Sequence, residues 1–143
     1  MAVMRCGVAL ALAVALVAGC GGGGGSDRET FVRDMNEACR DYRAAAEADR
    51  PPEEQAAQWT EALEEEIERW REIEPPDAGR SRYEEMIRHQ EEGLDAWKEF
   101  VRLASAGDYE QADPLPARYQ KSFVTAARIA GELGLEDCDR ALS

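Results

Sequence analysis

The stretch RSRYEEMIRHQEEGLDAWKEFVRLAS, residues 80–105, decides the fold class of this chain. Its apolar residues recur every three or four positions, which is the period of an α-helix with one buried face. We expect the buried face to carry Tyr83, Ile87, Gln90, Leu94, Trp97, Val101 and Ala104, with Met86 and Phe100 beside them. No alternation of β-branched and polar residues, typical of a strand, occurs after Asp27. The sequence therefore predicts an all-α domain.

Three further segments show the same helical period. The first begins at a capping-box pattern, Ser26 with Glu29, and the fourth ends at Leu133 before a Gly-Leu pair typical of a Schellman ending. Proline and glycine separate the segments, because proline is not tolerated in a helix interior. The breaks are Arg50-Pro51-Pro52, Pro75 to Gly79, and Ala106-Gly107-Asp108, after which a short helical piece precedes Asp113-Pro114. Four helices with short connections predict an up-down-up-down four-helix bundle.

The remaining apolar stripes follow from this assignment. We expect Phe31, Met35, Ala38, Tyr42 and Ala45 to face inward from the first helix, and Ala56, Trp59, Leu63, Ile67, Trp70 and Ile73 from the second. In the fourth helix we expect Leu115, Tyr119, Phe123, Ala126, Ile129 with Ala130, and Leu133. The acidic run 64–68 resembles a cation site, but Ile67 turns inward within it. We therefore expect its glutamates to lie largely on the solvated face.

Residues 1–19 have the layout of a secretory signal peptide. Arg5 is followed by an apolar run of about eleven residues, Val8 to Ala18, well short of the roughly 20 that span a bilayer. The run ends at Val17-Ala18-Gly19-Cys20, which resembles the lipobox of bacterial lipoproteins, although leucine is commonest where Val17 stands. The resemblance implies a diacylglyceryl group on the Cys20 thiol and cleavage between Gly19 and Cys20. An unlipidated secreted protein is the alternative.

A lipidated Cys20 would anchor the chain to a membrane. One acyl chain binds only marginally and stable anchoring takes two signals, a requirement that a diacylated cysteine meets from one residue. The glycine-rich tract that follows, residues 20–26 with the cysteine, is expected to be a disordered tether that reaches about 13 Å. Residues 27–143 then form one acidic helical domain. The expected location is the outer face of the cytoplasmic membrane, or the periplasmic side in a host with two membranes.

The charge of the chain excludes one class of partner. Removal of Arg5 with the signal peptide leaves 16 basic residues against 30 acidic ones, a formal charge of −14. Nucleic-acid binding needs a basic footprint, so no nucleic-acid partner is expected. Solubility explains the acidic surface without a specific cationic partner.

Four cysteines occur, and two of them remain for the folded domain. Cys6 leaves with the signal peptide and Cys20 is the lipid site, so Cys39 and Cys138 are left. An even remainder in an oxidising compartment indicates a disulfide. Two buried thiols, or a metal site with His89, are the alternatives. The metal site is poorly supported because no CxxC, CxxH or HxxxH spacing occurs.

The mature part also resembles a loose group of small, uncharacterised actinobacterial helical lipoproteins. The shared features are Asn36-Glu37-Ala38-Cys39, the break Pro75-Pro76, the sequence Ala106-Gly107-Asp108, and a late Gly-Leu-x-x-Cys from Gly134 to Cys138. The resemblance supports the helical fold and the Cys39–Cys138 disulfide. It implies no activity.

The sequence offers no catalytic constellation. His89 is the single histidine, and neither a Glu-x-x-His pair, a haem-attachment motif, a phosphate loop nor G-x-S-x-G occurs. We therefore expect no enzyme activity, no metal, and no cofactor beyond the lipid. Trp59, Trp70 and Trp97 are the remaining candidates. Large core residues are one interpretation, and a cleft for a small apolar or cationic ligand is the other.

Two functional hypotheses follow from these observations. The leading one is a lipid-anchored, non-catalytic helical protein that binds or scaffolds a protein partner in the cell envelope. The alternative is a lipoprotein that captures a small molecule or a metal for a transporter.

Overall fold

The computed structural model describes residues 27–49 and 51–142, and this part of the chain is all-α. Its six α-helices and one 3-10 turn confirm the expected fold class. The helices are α1 (Arg28–Ala46), α2 (Pro52–Glu72), α3 (Arg80–Ser105), α4 (Tyr109–Ala112), α5 (Leu115–Leu133) and α6 (Glu136–Leu142), with the 3-10 turn at Asp77–Gly79. No helix among the described residues is both long and apolar enough to cross a membrane.

Asp27 caps the first helix, and Ser26 of the expected capping box lies outside the described residues. The Asp27 carboxylate accepts a hydrogen bond from the Thr30 backbone N–H at 2.8 Å, so it satisfies one of the unpaired donors of the first turn. Helix α1 therefore begins at Arg28. The Arg28 guanidinium donates to the Leu133 carbonyl at 3.1 Å, which holds the start of α1 against the end of α5.

Helix α3 packs most extensively against α5. Arg82, near the start of α3, pairs with Glu132, near the end of α5, and the Trp97 ring meets the Tyr119 ring further along. Helix α2 also packs on α3, since the Tyr83 hydroxyl donates to the Trp70 carbonyl and Trp97 Nε1 donates to Thr60 Oγ1. Helix α3 is thus shared between two neighbours.

The chain after α5 forms a further helix. Gly134 has a φ of +78°, which glycine adopts without strain, and the Leu135 N–H donates to the Ala130 carbonyl at 2.9 Å. This is the Schellman ending that the sequence predicts. It buries Leu135 completely and turns the chain into α6.

A disulfide joins α6 to α1. Cys39 and Cys138 are bonded across a sequence separation of 99 residues, and neither side chain is exposed. Asn36, three residues before Cys39, accepts a hydrogen bond from the Asp137 backbone N–H at 3.0 Å. The asparagine of the Asn-x-x-Cys motif therefore positions the start of α6 beside the disulfide.

The main core surrounds this disulfide. Its most deeply buried side chains belong to α1, α2, α3 and α5 and to the link into α6. They are Phe31, Met35, Leu63, Trp70, Tyr83, Met86, Ile129 and Leu135. Ala45 is exposed, and Ala56 is half-buried, although the sequence analysis expects both to face inward. A second, smaller cluster of Leu103, Ala112 and Leu115 lies where α4 packs on α3.

Candidate functional site

A groove of about 690 Å³ opens at the connection between α1 and α2. Its walls come from the end of α1, the start of α2, the second half of α3 and the first half of α5. Four aromatic side chains dominate the lining, together with two acids, one amide and three alanines. The residues are Ala46, Glu47, Ala48, Asp49, Gln55, Ala56, Trp59, Trp97, Tyr119 and Phe123.

The four rings form one connected cluster. The Trp59 centroid lies 4.9 Å from that of Trp97 and 5.5 Å from that of Phe123, with interplanar angles of 72° and 83°. Trp97 and Tyr119 are 5.4 Å apart at 87°. Edge-to-face pairs of this kind are favoured by the ring quadrupoles. All four rings are only half-buried, so the cluster forms a wall of the groove as well as a packing contact.

Gly93 sets the position of one of these rings. A Cβ atom at residue 93 would lie 2.5 Å from a carbon of the Phe123 ring, far inside contact distance. The absence of a side chain at this buried position lets the ring lie directly on the α3 backbone. The close approach of α3 and α5 at the groove thus depends on glycine in the middle of a helix.

The indole N–H of Trp97 is directed into the protein. Trp97 Nε1 donates to Thr60 Oγ1 at 2.9 Å, and the Thr60 hydroxyl donates to the Ala56 carbonyl at 2.8 Å. Burial raises the pKa of Tyr42 to about 12, and the neighbouring Trp59 side chain opposes the rise. The Trp97 indole therefore presents carbon surface to the groove.

Gln58 holds the connection between α1 and α2 beside the groove. Its side chain is 6 % exposed, and its Nε2 donates to the carbonyls of Ala45 at 2.6 Å and Ala48 at 3.3 Å. The Ala45 carbonyl lies in the last turn of α1, where the helix leaves its acceptors unpaired, and Ala48 lies in the connection that follows. A buried amide thus ties the α1–α2 connection to α2.

The charged groups of the groove are acidic. Glu47 and Asp49 lie on its rim and both are exposed. Arg43 lies 3.8 Å from Glu47, an i,i+4 pair along α1. Among the described lining residues there is no Lys, Arg or His. The rim therefore attracts cations.

The structure separates the three tryptophans. Trp59 and Trp97 meet in the groove, whereas Trp70 is fully buried in the main core and does not line the groove. Trp59 and Trp70 share a face of α2, as their spacing predicts, but eleven residues along a helix amount to about 16 Å. A shared face does not place them in one cleft.

Glu66 is the buried charge that sequence reasoning missed. It is 3 % exposed although it belongs to the acidic run expected on the surface. Burial raises its pKa to about 7, against the lowering effects of the nearby Trp70 indole and of Arg69, whose Nη1 lies 3.9 Å away. Glu66 Oε1 and Trp70 Nε1 have no hydrogen-bond partner among the described residues. The signal was present, because Glu66 precedes inward-facing Ile67 and follows inward-facing Leu63 by three residues.

His89 lies apart from the groove. Its ring is half-buried, with Nδ1 at 3.1 Å from Glu92 and Nε2 at 3.9 Å from Glu85. No group of three or more His, Cys, Asp or Glu side chains within residues 27–49 and 51–142 is arranged to hold a metal ion. The signal peptide of residues 1–19, the cleavage site at Gly19 and Cys20, the lipidation of Cys20 and the tether of residues 20–26 lie outside the described residues.

The chain has no significant match among protein-family models, curated proteins or solved structures.

Proposed function

We propose that this chain is a lipid-anchored, non-catalytic binding protein of the cell envelope, and that its binding surface is the aromatic groove. The observation that carries the proposal is the half-burial of four aromatic rings around a 690 Å³ opening. Ligand sites are concave, largely apolar, and about 300–1,000 Å³ in volume. The described lining offers no Ser, Cys, His or Lys that could act as a nucleophile or base.

The proposal includes an up-down-up-down arrangement of α1, α2, α3 and α5. The pairings that support it join opposite ends of neighbouring helices, Arg82 with Glu132 for α3 and α5, and Tyr83 with Trp70 for α3 and α2. Gln58, near the start of α2, meets the end of α1 in the same way. Short connections favour this order.

The anchor and the groove belong to opposite ends of α1 in this proposal. The tether would join the domain at Asp27, whereas the groove begins at Ala46. Helix α1 has 19 residues, which gives a length of about 28 Å. A six-residue glycine-rich tether reaches about 13 Å. The groove would therefore face away from the membrane, beyond the reach of the lipid on Cys20.

The disulfide supports an extracytoplasmic location. Disulfides persist in oxidising compartments and are rare in the cytosol. The pairing of Cys39 with Cys138 is consistent with a chain that is exported before it folds.

An envelope protein is the leading partner, with one of its side chains or a short segment held by the groove. Capture of a small molecule is a second candidate, and the volume of the groove favours it, because 690 Å³ lies within the roughly 300–1,000 Å³ of small-molecule pockets.

The anchor is tested by intact-mass analysis of the membrane fraction. We expect a chain that begins at a lipid-bearing Cys20, and a Cys20→Ala variant that is absent from membranes. An unmodified mature chain in the culture medium would contradict the anchor.

The binding surface is tested by photocrosslinking in the native host. A crosslinking residue at Ala48, on the groove, is expected to give specific adducts that a Trp97→Ala change abolishes. The matched control position is Arg33, which is exposed on the first half of α1. Equal adducts from both positions would contradict the assignment of the groove.

A further inference from the structure

We propose that the aromatic groove binds an organic cation, an alkylated ammonium group attached to a small apolar body. This inference deepens the second candidate of the proposed function, the capture of a small molecule, and depends on the groove being the binding surface. The juxtaposition that carries it is an aromatic wall, built from Trp59, Trp97 and Tyr119, beside an acidic rim of Glu47 and Asp49.

The rings supply the first part of the recognition. Cations are attracted to the faces of Trp and Tyr rings, and quaternary ammonium groups are recognised by aromatic cages for this reason. In this groove the Trp59 and Trp97 rings are nearly perpendicular, with their centroids 4.9 Å apart. Two perpendicular rings form a corner in which one rounded cation contacts both.

The charges of the lining disfavour an anion. The described lining contains two carboxylates and no basic side chain, so an anion would find repulsion and no ion pair. The Trp97 N–H is not free for an anion either, because it donates to Thr60 Oγ1. A quaternary ammonium group has no N–H to donate, so it loses no hydrogen bond when it contacts the carbon surface of the rings.

The negative charge of the rim and of the whole domain supplies the second part of the recognition. Glu47 and Asp49 are exposed carboxylates at the mouth of the groove, and the mature chain carries a formal charge of −14. A field of one sign raises the local concentration of the opposite ion. Arg50 follows Asp49 in the sequence and lies outside the described residues, so the Arg50→Gln variant is included to measure its effect on binding.

The experiment is calorimetric titration of the whole mature chain in maltoside micelles, which carry no ammonium group. The probes are three molecules of one shape: choline, its neutral counterpart 3,3-dimethylbutan-1-ol, and the anion 3,3-dimethylbutanoate. Tetraethylammonium is the fourth probe. We expect choline to bind about five- to thirty-fold tighter than the neutral alcohol, the range that a cation–π contact provides. We expect no binding of the anion.

Two variants test the two parts separately. Tyr119→Leu keeps the groove apolar and is expected to weaken choline binding several-fold while the neutral alcohol is unaffected. Glu47→Gln with Asp49→Asn changes only exposed rim groups and is expected to weaken both ammonium probes and to reduce their dependence on salt. Glu136→Gln, on an acid that is 82 % exposed on α6, is the matched control and is expected to change nothing. Arg50→Gln is expected to tighten ammonium binding or leave it unchanged.

The outcomes separate this inference from the proposed function. Equal or tighter binding of the neutral alcohol would overturn the cation preference and leave the groove as a binding site. Loss of ammonium binding in Arg50→Gln would also overturn it. No binding of any probe, together with groove adducts in the crosslinking experiment, would overturn the inference alone. A trimethyllysine peptide that binds tighter than tetraethylammonium would assign the groove to a protein-borne cation and overturn the small-molecule ligand.

Discussion

The two ends of this domain use similar residues in different ways. At the disulfide end, Phe31 packs edge-to-face on Tyr83 and both are about 2 % exposed. At the groove end, Phe123 packs edge-to-face on Trp59 and both remain half-buried. A covalent link, Cys39–Cys138, closes the first end, and a cavity of about 690 Å³ opens at the second.

The difference separates the source of stability from the site of binding. Burial of apolar surface stabilises a fold by about 25 cal/mol per Å², so rings that stay half-exposed leave part of that stabilisation unused. Clustered exposed aromatic groups mark interaction sites in soluble proteins. We infer that the disulfide end holds the domain together and that the aromatic end binds.

The largest effect is expected from the disulfide. Replacement of both cysteines, Cys39→Ala with Cys138→Ala, should lower the free energy of unfolding by about 4 kcal/mol, because the link closes a loop of 99 residues in the unfolded chain. Denaturant unfolding of the oxidised protein and of the variant measures the difference. A loss below about 1 kcal/mol would show that this end does not depend on its cross-link.

A matched pair of phenylalanines compares the two ends directly. Phe31→Ala should cost about 4 kcal/mol, within the range for a fully buried ring, whereas Phe123→Ala should cost about half as much. The same unfolding experiment gives both values. Equal costs would remove the distinction between the ends.

Glu66 should make stability depend on pH. Its pKa is about 7 in the folded state against an ordinary value of 4.5, so the folded protein keeps this proton after the unfolded chain has released it. Wild-type stability should therefore fall as the pH rises from about 4.5 to about 7, by up to about 3 kcal/mol. Glu66→Gln should remove this fall and be more stable than wild type at pH 8.

The measurement for Glu66 is denaturant unfolding at pH 5 and pH 8. Other carboxylates titrate in the same range, so the quantity to compare is the difference between variant and wild type at each pH. Glu65→Gln, at the exposed neighbouring position, is the control and should follow wild type. If the free energy of unfolding changed with pH in the same way for wild type and Glu66→Gln, the raised pKa of Glu66 would be contradicted.

The smallest effects are expected from two helical glycines. Gly93→Ala would push a methyl group to 2.5 Å from the Phe123 ring, and this overpacking should cost about 1 kcal/mol net of the better helix propensity of alanine. Gly131→Ala meets nothing closer than 3.7 Å and should stabilise by about 0.5 kcal/mol. Thermal unfolding distinguishes the signs. An increase in stability on Gly93→Ala would show that the Phe123 ring can move away from α3 at little cost.

The helices could be predicted from the sequence because their signals are local. The apolar period of residues 80–105, the proline breaks and the Gly134-Leu135 ending each depend on a few neighbouring residues. The Cys39–Cys138 disulfide could be predicted because two cysteines remain for the folded domain and the expected compartment is oxidising. The packing of the rings at the groove could not be predicted from the sequence. It depends on Gly93, which allows the Phe123 ring, 30 residues away in the sequence, to approach α3.

Two residues show where helical spacing is insufficient. Trp59 and Trp70 share a face of α2, but only the structure shows that one reaches the groove and the other the core. Glu66 belongs to a charged run, but residues of α1 pack against it and bury it. Helical spacing gives the face of a residue, whereas its depth depends on what packs against that face.

The central claim, that the aromatic end is the binding end, is tested most directly by the three indole N–H signals in a nitrogen–proton correlation spectrum. Titration of the labelled mature chain with tetraethylammonium should shift the Trp59 and Trp97 signals and leave Trp70, buried in the main core, unchanged. Movement of the Trp70 signal without those of Trp59 and Trp97 would contradict the claim, and movement of none of the three would contradict the cation preference of the groove.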